Sequence, residues 1–477
     1  MIERQGYLNL PTKEYLANIN ELSVNVVNSP TYLDPKTNFI SDSSWKTLVK
    51  GGVLSASLGD RDITHHQEEI MQTLRILSYH DINLGLTYGI TTALVIKVIQ
   101  RFAGSAFQRE KYLNEIRNGE RMGLAITEKN SSGSSALEMN DSNYKVNDNG
   151  TATLNFSKHL QGLSGNSGLI VAARKLNTPT TTIGLFLVDK KDINTRLVKT
   201  MGLGGIAYGV NTGSVTLNLS DHLMTEIPRR ELLTFQNLFT ESRLYFVGMP
   251  LGHMEHMEQE ANSYASKRLI GGVFQKDMPV PSYKLKIIKA RRLASEAIFN
   301  HVKDFRVSGK SLMEGNTMEF ATEASIIKAL PSEYAVATAA DRAELMGGAS
   351  FYEKGALQDY LDIWPFKIFE GTRWMLNTQI GHASGKSISE TNGDERLFNR
   401  VGALANLSSE SKKLIEEIKV TKKGVVQEEI IGQIQQRIFA LGCIRQKHYT
   451  SEDYLLVTNF LNLEIRQLGL EYFSKIT

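Results

Sequence analysis

Apolar residues recur at intervals of three and four through the first part of the chain: Ile70, Leu74 and Leu77, then Leu94, Val95, Val98 and Ile99, then Phe102 and Phe107. That spacing lines one face of a helix, so residues 1–122 are predicted to form a helical domain. Between 123 and 227 the period shortens to two. Apolar runs from Leu169 to Val171, Thr182 to Val188 and Val215 to Leu219 predict strands, and Asn149-Gly150 predicts a hairpin turn. From 228 to 385 the helical period returns, first over 244–269 and then at Leu285, Ile288, Ala294, Ala297, Ile298 and Val302. The polar, small-residue stretch 384–394 reads as a loop. An additional helical region over 386–477 is predicted from segments 409–420 and 424–446 and from a last helix opened by Thr450-Ser-Glu-Asp453, which has capping-box spacing. The expected class is α+β, in the order helical domain, β domain, helical domain, further helices.

Composition narrows the ligand. The 477 residues, 41% of them hydrophobic, suffice for roughly two to four units with cores of their own. Lys and Arg number 54 against 51 Asp and Glu, so no field announces nucleic acid or an anionic membrane as partner, and a small ligand is expected. The single cysteine, Cys443, excludes an intrachain disulfide and a cysteine-rich zinc site, which suits a reducing compartment, by default the cytoplasm. No secretory signal or transmembrane segment is expected. The uncharged run from Ile82 to Ile96 is shorter than the ~20 residues a spanning helix needs and reads as a buried helix.

Candidate chemistry centres on Glu370, in the segment WPFKIFEGT at 364–372. A carboxylate among large apolar side chains has its pKa lifted by desolvation, as a base abstracting a carbon-bound proton needs, and Gly371 leaves room for a ligand against the backbone. His253, His256 and Glu260 fall on one helix face, but nothing dictates a further ligand and no metal is expected. Met201 to Gly205 lacks a dinucleotide spacing and reads as a turn. The amphipathic segment from Val425 to Ile444 carries mixed charges, which favours core packing over membrane contact.

An ordered set of motifs resembles the acyl-CoA dehydrogenase family. The segment GLAITEKNSSGS at 123–134 looks like the family's "TEP..GSD", with 108–119 before it like its "QKERYLP" lead-in. Segments 144–158 and 198–204 are similar to two later β-domain signatures. Arg243 with Gly248, then Tyr264 to Arg268 with Gly272, resembles its long "Y...R..FG" helix, and 344–348 and 368–372 resemble "QxxGG" and "EGT". The resemblance covers about residues 45 to 382. It implies a middle β-barrel, a C-terminal four-helix bundle, and FAD lying between them with its adenine end touched by a second subunit. Thr127, Ser134, Ser164 and Thr372 would bind the cofactor, Arg268, Gly347 and Gly348 would act across the dimer, and Arg243 and Gly371 would face the substrate. Glu370 would take the α proton of an acyl thioester, on coenzyme A or an acyl carrier protein, while hydride leaves the β carbon.

Several departures accompany the resemblance, among them Ser135 where the Asp of "GSD" is expected and one residue inserted in Lys129-Asn-Ser-Ser132. Lys158 leads into His159-Leu-Gln-Gly-Leu-Ser164 where the family has Trp and Thr beside the flavin, so Ser164 is the candidate for the threonine's bond while neither Leu160 nor Leu163 can stack as Trp does. Glu344 stands for the Gln of "QxxGG", placing negative charge near a pyrophosphate. An electron-transferring flavoprotein is the expected redox partner, and the added C-terminal helices favour a homodimer over a homotetramer. The other readings are a flavin oxidase or oxygenase on the same scaffold, and a non-catalytic assembly subunit that has lost flavin.

Overall fold

Tyr15, Ile19 and Val26 face inward from the first helix, α1 (Thr12–Val27), and begin the core of the N-terminal helices. The structure, a computed structural model, describes residues 10–61, 66–130, 141–165, 168–307, 317–352, 355–389, 406–419 and 424–475. It divides into two units, Met1–Tyr245 and Phe246–Thr477. In the first, α2 (Asp42–Lys50), α3 (His66–His80), α4 (Ile82–Phe102) and α5 (Ala106–Arg117) follow α1. Ile70, Leu74 and Leu77 are buried on α3, as their spacing predicts. Arg61 and Glu69 are both fully buried and joined by two bonds of 2.8 Å, with the guanidinium 4.1 Å from the Tyr15 ring. Charges so deep persist only when paired and hydrogen-bonded. Among the described residues α4 alone is long and apolar enough to cross a membrane, yet its apolar window is 83% buried within the protein. It is a core helix, with a π-helical stretch at Ile90–Ile96 and the hydroxyls of Thr87, Thr91 and Thr92 each donating to the carbonyl four residues back.

Among the described residues the β domain of this unit has eight strands: β1 (Met122–Ala125), β2 (Asn143–Val146), β3 (Thr151–Gly162), β4 (Gly168–Lys175), β5 (Thr182–Asp189), β6 (Asn194–Val198), β7 (Tyr208–Asn218) and β8 (Leu223–Pro228). Their order is β6-β7-β3-β2-β4-β5-β8, with β1 parallel to β4. The turn at Asn149 and Gly150 joins antiparallel β2 and β3, and Gly150 takes the positive φ of 76° that the hairpin requires. Alternation along β3 buries Ala152, Leu154 and Phe156, which pack with Tyr144, Val171 and Phe186. Gln108 of α5 donates to the carbonyls of Ser220 and Leu223, tying the helices to the sheet.

In the second unit a hairpin, β9 (Leu269–Ile270) and β10 (Val273–Phe274), lies among helices. The continuous helix expected over 244–269 is two: α6 (Leu232–Phe246) and α7 (Gly248–Lys267). Pro250 supplies no N–H to the carbonyl four residues earlier and suits a first turn, so a new helix starts there. Next come α8 (Pro279–Val307), α9 (Thr317–Met346), α10 (Ala356–Ile363) and α11 (Arg373–Ser389). The loop expected from 384 is helical through Ser389, and the rest of that stretch lies outside the described residues.

The additional helices α12 (Ser409–Lys419), α13 (Val425–Cys443) and α14 (Ser451–Ser474) belong to the second unit. The Thr450 hydroxyl caps α14 by accepting from the Asp453 N–H at 3.2 Å. Ile430, Ile431, Ile434, Ile438 and Leu441 of α13 are buried, so its apolar face is core. Helices α11 and α13 meet backbone to backbone. A Cβ on Gly381 would lie 1.8 Å from the Glu428 carbonyl oxygen, and one on Gly432 would lie 1.9 Å from that of Asn377. Gly381→Ala and Gly432→Ala should each cost at least about 1–3 kcal/mol, as overpacking does, and lower the thermal midpoint by several degrees. An unchanged midpoint would mean that the two helices do not cross this closely.

Arg437 of α13, 3% exposed, donates to Glu333 of α9 at 2.6 Å and to Glu464 of α14 at 3.2 Å. Glu333 also pairs with Arg373, the first residue of α11, at 3.2 Å, and the Tyr334 hydroxyl donates to Glu464. One buried network thus joins four helices.

Candidate functional site

The first unit contributes the segment after β1. Lys158 occupies the inward phase of β3, in line with Ala152, Leu154 and Phe156, and is fully buried. Its ammonium donates to Glu128 at 2.9 Å and to the Ile126 carbonyl at 3.0 Å, while Glu128 accepts the Asp141 N–H. Burial pushes the Lys158 pKa down to about 8 despite the carboxylate beside it. The Glu128 carboxyl feels burial in the opposite sense, but Asp141 and Lys158 outweigh it and hold it low. This pair clamps the segment that carries Thr127, whose side chain is exposed and whose carbonyl accepts the His159 N–H at 2.9 Å. Both motifs are visible in the sequence, whereas their pairing across 30 residues is not. The legible signal was a lysine in the core phase of an alternating strand.

Beyond Lys158 the register of β3 shifts, and Leu160 sits on the bulge at φ 56°, 60% exposed. A leucine side chain stands out to solvent there. Leu163, also left-handed at φ 62°, turns inward and lines a cavity of about 260 Å³ with Ile40, Arg121, Ser164 and Ile206. Ser164 is buried, and its hydroxyl donates to the Gln161 carbonyl at 2.7 Å and accepts from Asn211 at 2.9 Å. Its one proton is therefore committed within the domain. Ser134 lies outside the described residues, and Arg243 is half-buried near the end of α6.

In the second unit Arg268 follows the end of α7 and donates to the Met346 carbonyl and the Tyr264 hydroxyl, each at 2.9 Å. That places a guanidinium where α9 ends and the chain turns through Gly347 at φ 57°. Arg268, Gly348, Tyr264 and Lys267 line an open cleft of about 740 Å³. A Cβ at Gly348 would meet nothing within 4 Å. Two cations beside a glycine backbone form a place for an anion, and the carboxylate on the same lining, Glu260, is paired with Arg342. Glu344, whose charge the sequence sets near this region, is ion-paired with Lys284, so a cation does stand against it. The histidine face of α7 is likewise occupied: His253 faces Asp359 at 3.7 Å and His256 faces Glu260 at 3.5 Å, and both carboxylates also pair with Arg342.

The segment around Glu370 is less wrapped than its composition suggests. A 3₁₀ turn at Trp364–Lys367 sends Trp364 and Ile368 toward solvent and Phe366 and Phe369 inward, their rings 4.8 Å apart with Phe246 beyond at 5.5 Å. Glu370 is half-buried and left-handed at φ 59°, followed by Gly371 at φ 109°. A non-glycine residue in that conformation costs roughly 1–2 kcal/mol and persists only where its surroundings impose it. Lys328 of α9 donates to the Gly371 carbonyl at 2.9 Å. The Thr372 hydroxyl oxygen is buried and has no hydrogen-bond partner among the described residues. So a carboxylate, a side-chain-free approach and an unsatisfied hydroxyl occur on three successive residues. That hydroxyl, with the Arg268 cleft, suits a phosphate-bearing ligand.

Residues 232–384 match the sequence model of the acyl-CoA dehydrogenase C-terminal domain. The human mitochondrial very long-chain specific acyl-CoA dehydrogenase is 24% identical over 368 residues, covering 73% of this chain and 54% of its own length. The Macaca fascicularis protein of the same name is 26% identical over 317 residues, covering 64% and 47%. The chain thus spans about half the length of these relatives. Among solved structures, an acyl-CoA dehydrogenase complexed with FAD from Bacillus anthracis has a TM-score of 0.78 at 18% identity, covering 98% of this chain and 88% of that one. The butyryl-CoA dehydrogenase of Megasphaera elsdenii has a TM-score of 0.68 at 20% identity, covering 79% and 99%. The structural likenesses establish a shared fold.

Proposed function

We propose that this chain, which belongs to the acyl-CoA dehydrogenase family, introduces an α,β double bond into an acyl thioester, with Glu370 as base and FAD as cofactor. The observation that carries this reading is the 370–372 turn, where a half-buried carboxylate is held left-handed ahead of Gly371 and the unsatisfied Thr372 hydroxyl. The Glu370 carboxylate takes the α proton, the electrons of that C–H bond become the new π bond, and the β hydrogen departs with its electron pair. FAD, when bound, supplies the acceptor for that hydride. Gly371 presents backbone without a side chain, and the Thr372 hydroxyl would donate to a phosphate oxygen of the cofactor. Arg268, with Gly347 and Gly348, would offer charge and backbone to a cofactor from a second copy of the chain, and Arg243 would lie near the substrate.

An absorbance spectrum taken anaerobically before and after adding acyl thioesters, on coenzyme A and on an acyl carrier protein, tests this. Flavin bands that bleach with one thioester are expected. Recovery through a flavoprotein acceptor identifies a dehydrogenase, and rapid recovery in air an oxidase. A protein that stays colourless after added FAD overturns the reading in favour of an assembly subunit. Thr372→Val keeps the shape and removes the hydroxyl. It should weaken FAD binding by roughly tenfold or more, the worth of a hydrogen bond to a charged group, in a fluorescence titration of the apoprotein. Unchanged affinity would remove Thr372 from the cofactor site.

A further inference from the structure

Lys328 is 2% exposed, which is rare for a lysine, and neither its motif nor its spacing marks it in the sequence. Its stem is buried in α9, its ammonium lies 2.9 Å from the Gly371 carbonyl oxygen, and the Phe369 ring is 5.8 Å away. Five residues further along the same helix, Glu333 pairs with Arg373. One helix therefore holds the turn on both sides of Thr372, through a carbonyl before it and a guanidinium after it. A buried ammonium is costly unless hydrogen-bonded, so the lysine and the turn constrain each other. Two successive left-handed residues leave the Glu370–Gly371 segment few alternative paths, and the bond from Lys328 to the Gly371 carbonyl anchors the end of that segment next to Glu370.

We infer that Lys328 is a positioning residue, which fixes the 370–371 backbone so that the Glu370 carboxylate is aimed at the substrate's α carbon. This rests on the dehydrogenase reading above for its chemistry, and on geometry alone for its hold on the turn. Lys328 does not exchange a proton with substrate. Its effect is on alignment, and a displacement of about 1 Å at a reacting group costs on the order of 10²-fold in rate.

The test uses the flavin-loaded protein and Lys328→Met, which keeps the stem and removes the donor. The anaerobic bleaching rate should fall roughly 10- to 100-fold while the thioester dissociation constant changes by less than about twofold, because alignment and not binding is lost. Amide hydrogen exchange over 369–372 should quicken, and Lys328→Arg, which restores a cationic donor, should recover most of the rate. If Lys328→Met does not fold, Lys328→Gln against Lys328→Arg carries the same comparison. Bleaching at the parent rate with unchanged exchange overturns the inference. A parent protein that no thioester bleaches, whereas exchange over 369–372 still responds to Lys328→Met, overturns the dehydrogenase reading and leaves the hold on the turn standing.

Discussion

Glu370→Gln is expected to yield a folded, yellow protein whose flavin no acyl thioester bleaches at a measurable fraction of the parent rate. The amide matches the carboxylate in size and shares its Cβ environment, so the left-handed backbone at 370 is strained equally in both forms. Cofactor affinity should persist, because Thr372, Arg268 and the glycines at 347 and 348 are untouched. What disappears is the only change the reaction notices, the capacity to accept a proton, and a positioned base is commonly worth 10²–10⁴-fold. Stopped-flow absorbance with the best thioester reads the rate directly. A variant that bleaches like its parent would place the base elsewhere and remove the central residue of the proposed chemistry.

Arg437→Met should be the most destabilising single change among those considered. The guanidinium lies between Glu333 and Glu464, and removing it strands two carboxylates, with Arg373 and the Tyr334 hydroxyl as remaining support. Breaking a buried pair from one side typically costs about 3–5 kcal/mol. For a unit of this size that lowers the thermal midpoint by roughly 10 °C. The loss should also depend on pH. Burial opposes ionisation of Glu333, but Arg437 and then Arg373 outweigh it, so the folded carboxyl titrates below its unfolded value. Its contribution is therefore complete above the unfolded pKa and disappears as pH falls through the folded one. Urea midpoints of parent and variant should lie far apart at pH 7 and converge on acidification below about pH 4. Adding Glu333→Gln should recover part of the loss at neutral pH. A gap that is constant with pH would assign the cost to packing rather than charge.

Much of the fold follows from local pattern. The stripe on α3, the phase of β3, the hairpin at Asn149 and Gly150 and the cap at Thr450 each need only neighbours in sequence, and each stands where the spacing puts it. The break at Val247 was signalled by Pro250, but a long apolar period on either side masked it. The site was harder to read because its supports are distant in sequence. Lys158 meets Glu128 across 30 residues and Lys328 meets Gly371 across 43, and no periodicity encodes such pairings. Directions were also hidden: the aromatic string around Glu370 is visible in sequence, whereas the 3₁₀ turn that points Trp364 outward and Phe366 inward is not. Ser164 shows the same limit, since a hydroxyl at the right spacing carries no sign that Gln161 and Asn211 already engage it.

The glycine crossing of α11 and α13 bears on how this chain can be shortened. Residues 406–475 could be taken for an appendage, since the segment matching the family's C-terminal domain ends at 384. Yet Gly381 and Gly432 bring two backbones together so closely that each helix is the other's groove wall, and Arg437 neutralises a glutamate whose other partner, Arg373, follows the 370–372 turn. A chain trimmed before α12 would bare a trough floored by peptide carbonyls and leave Glu333 half neutralised. It would be an adhesive, self-associating fragment, so α13 and the helices packed with it belong to the folded unit rather than to a removable tail.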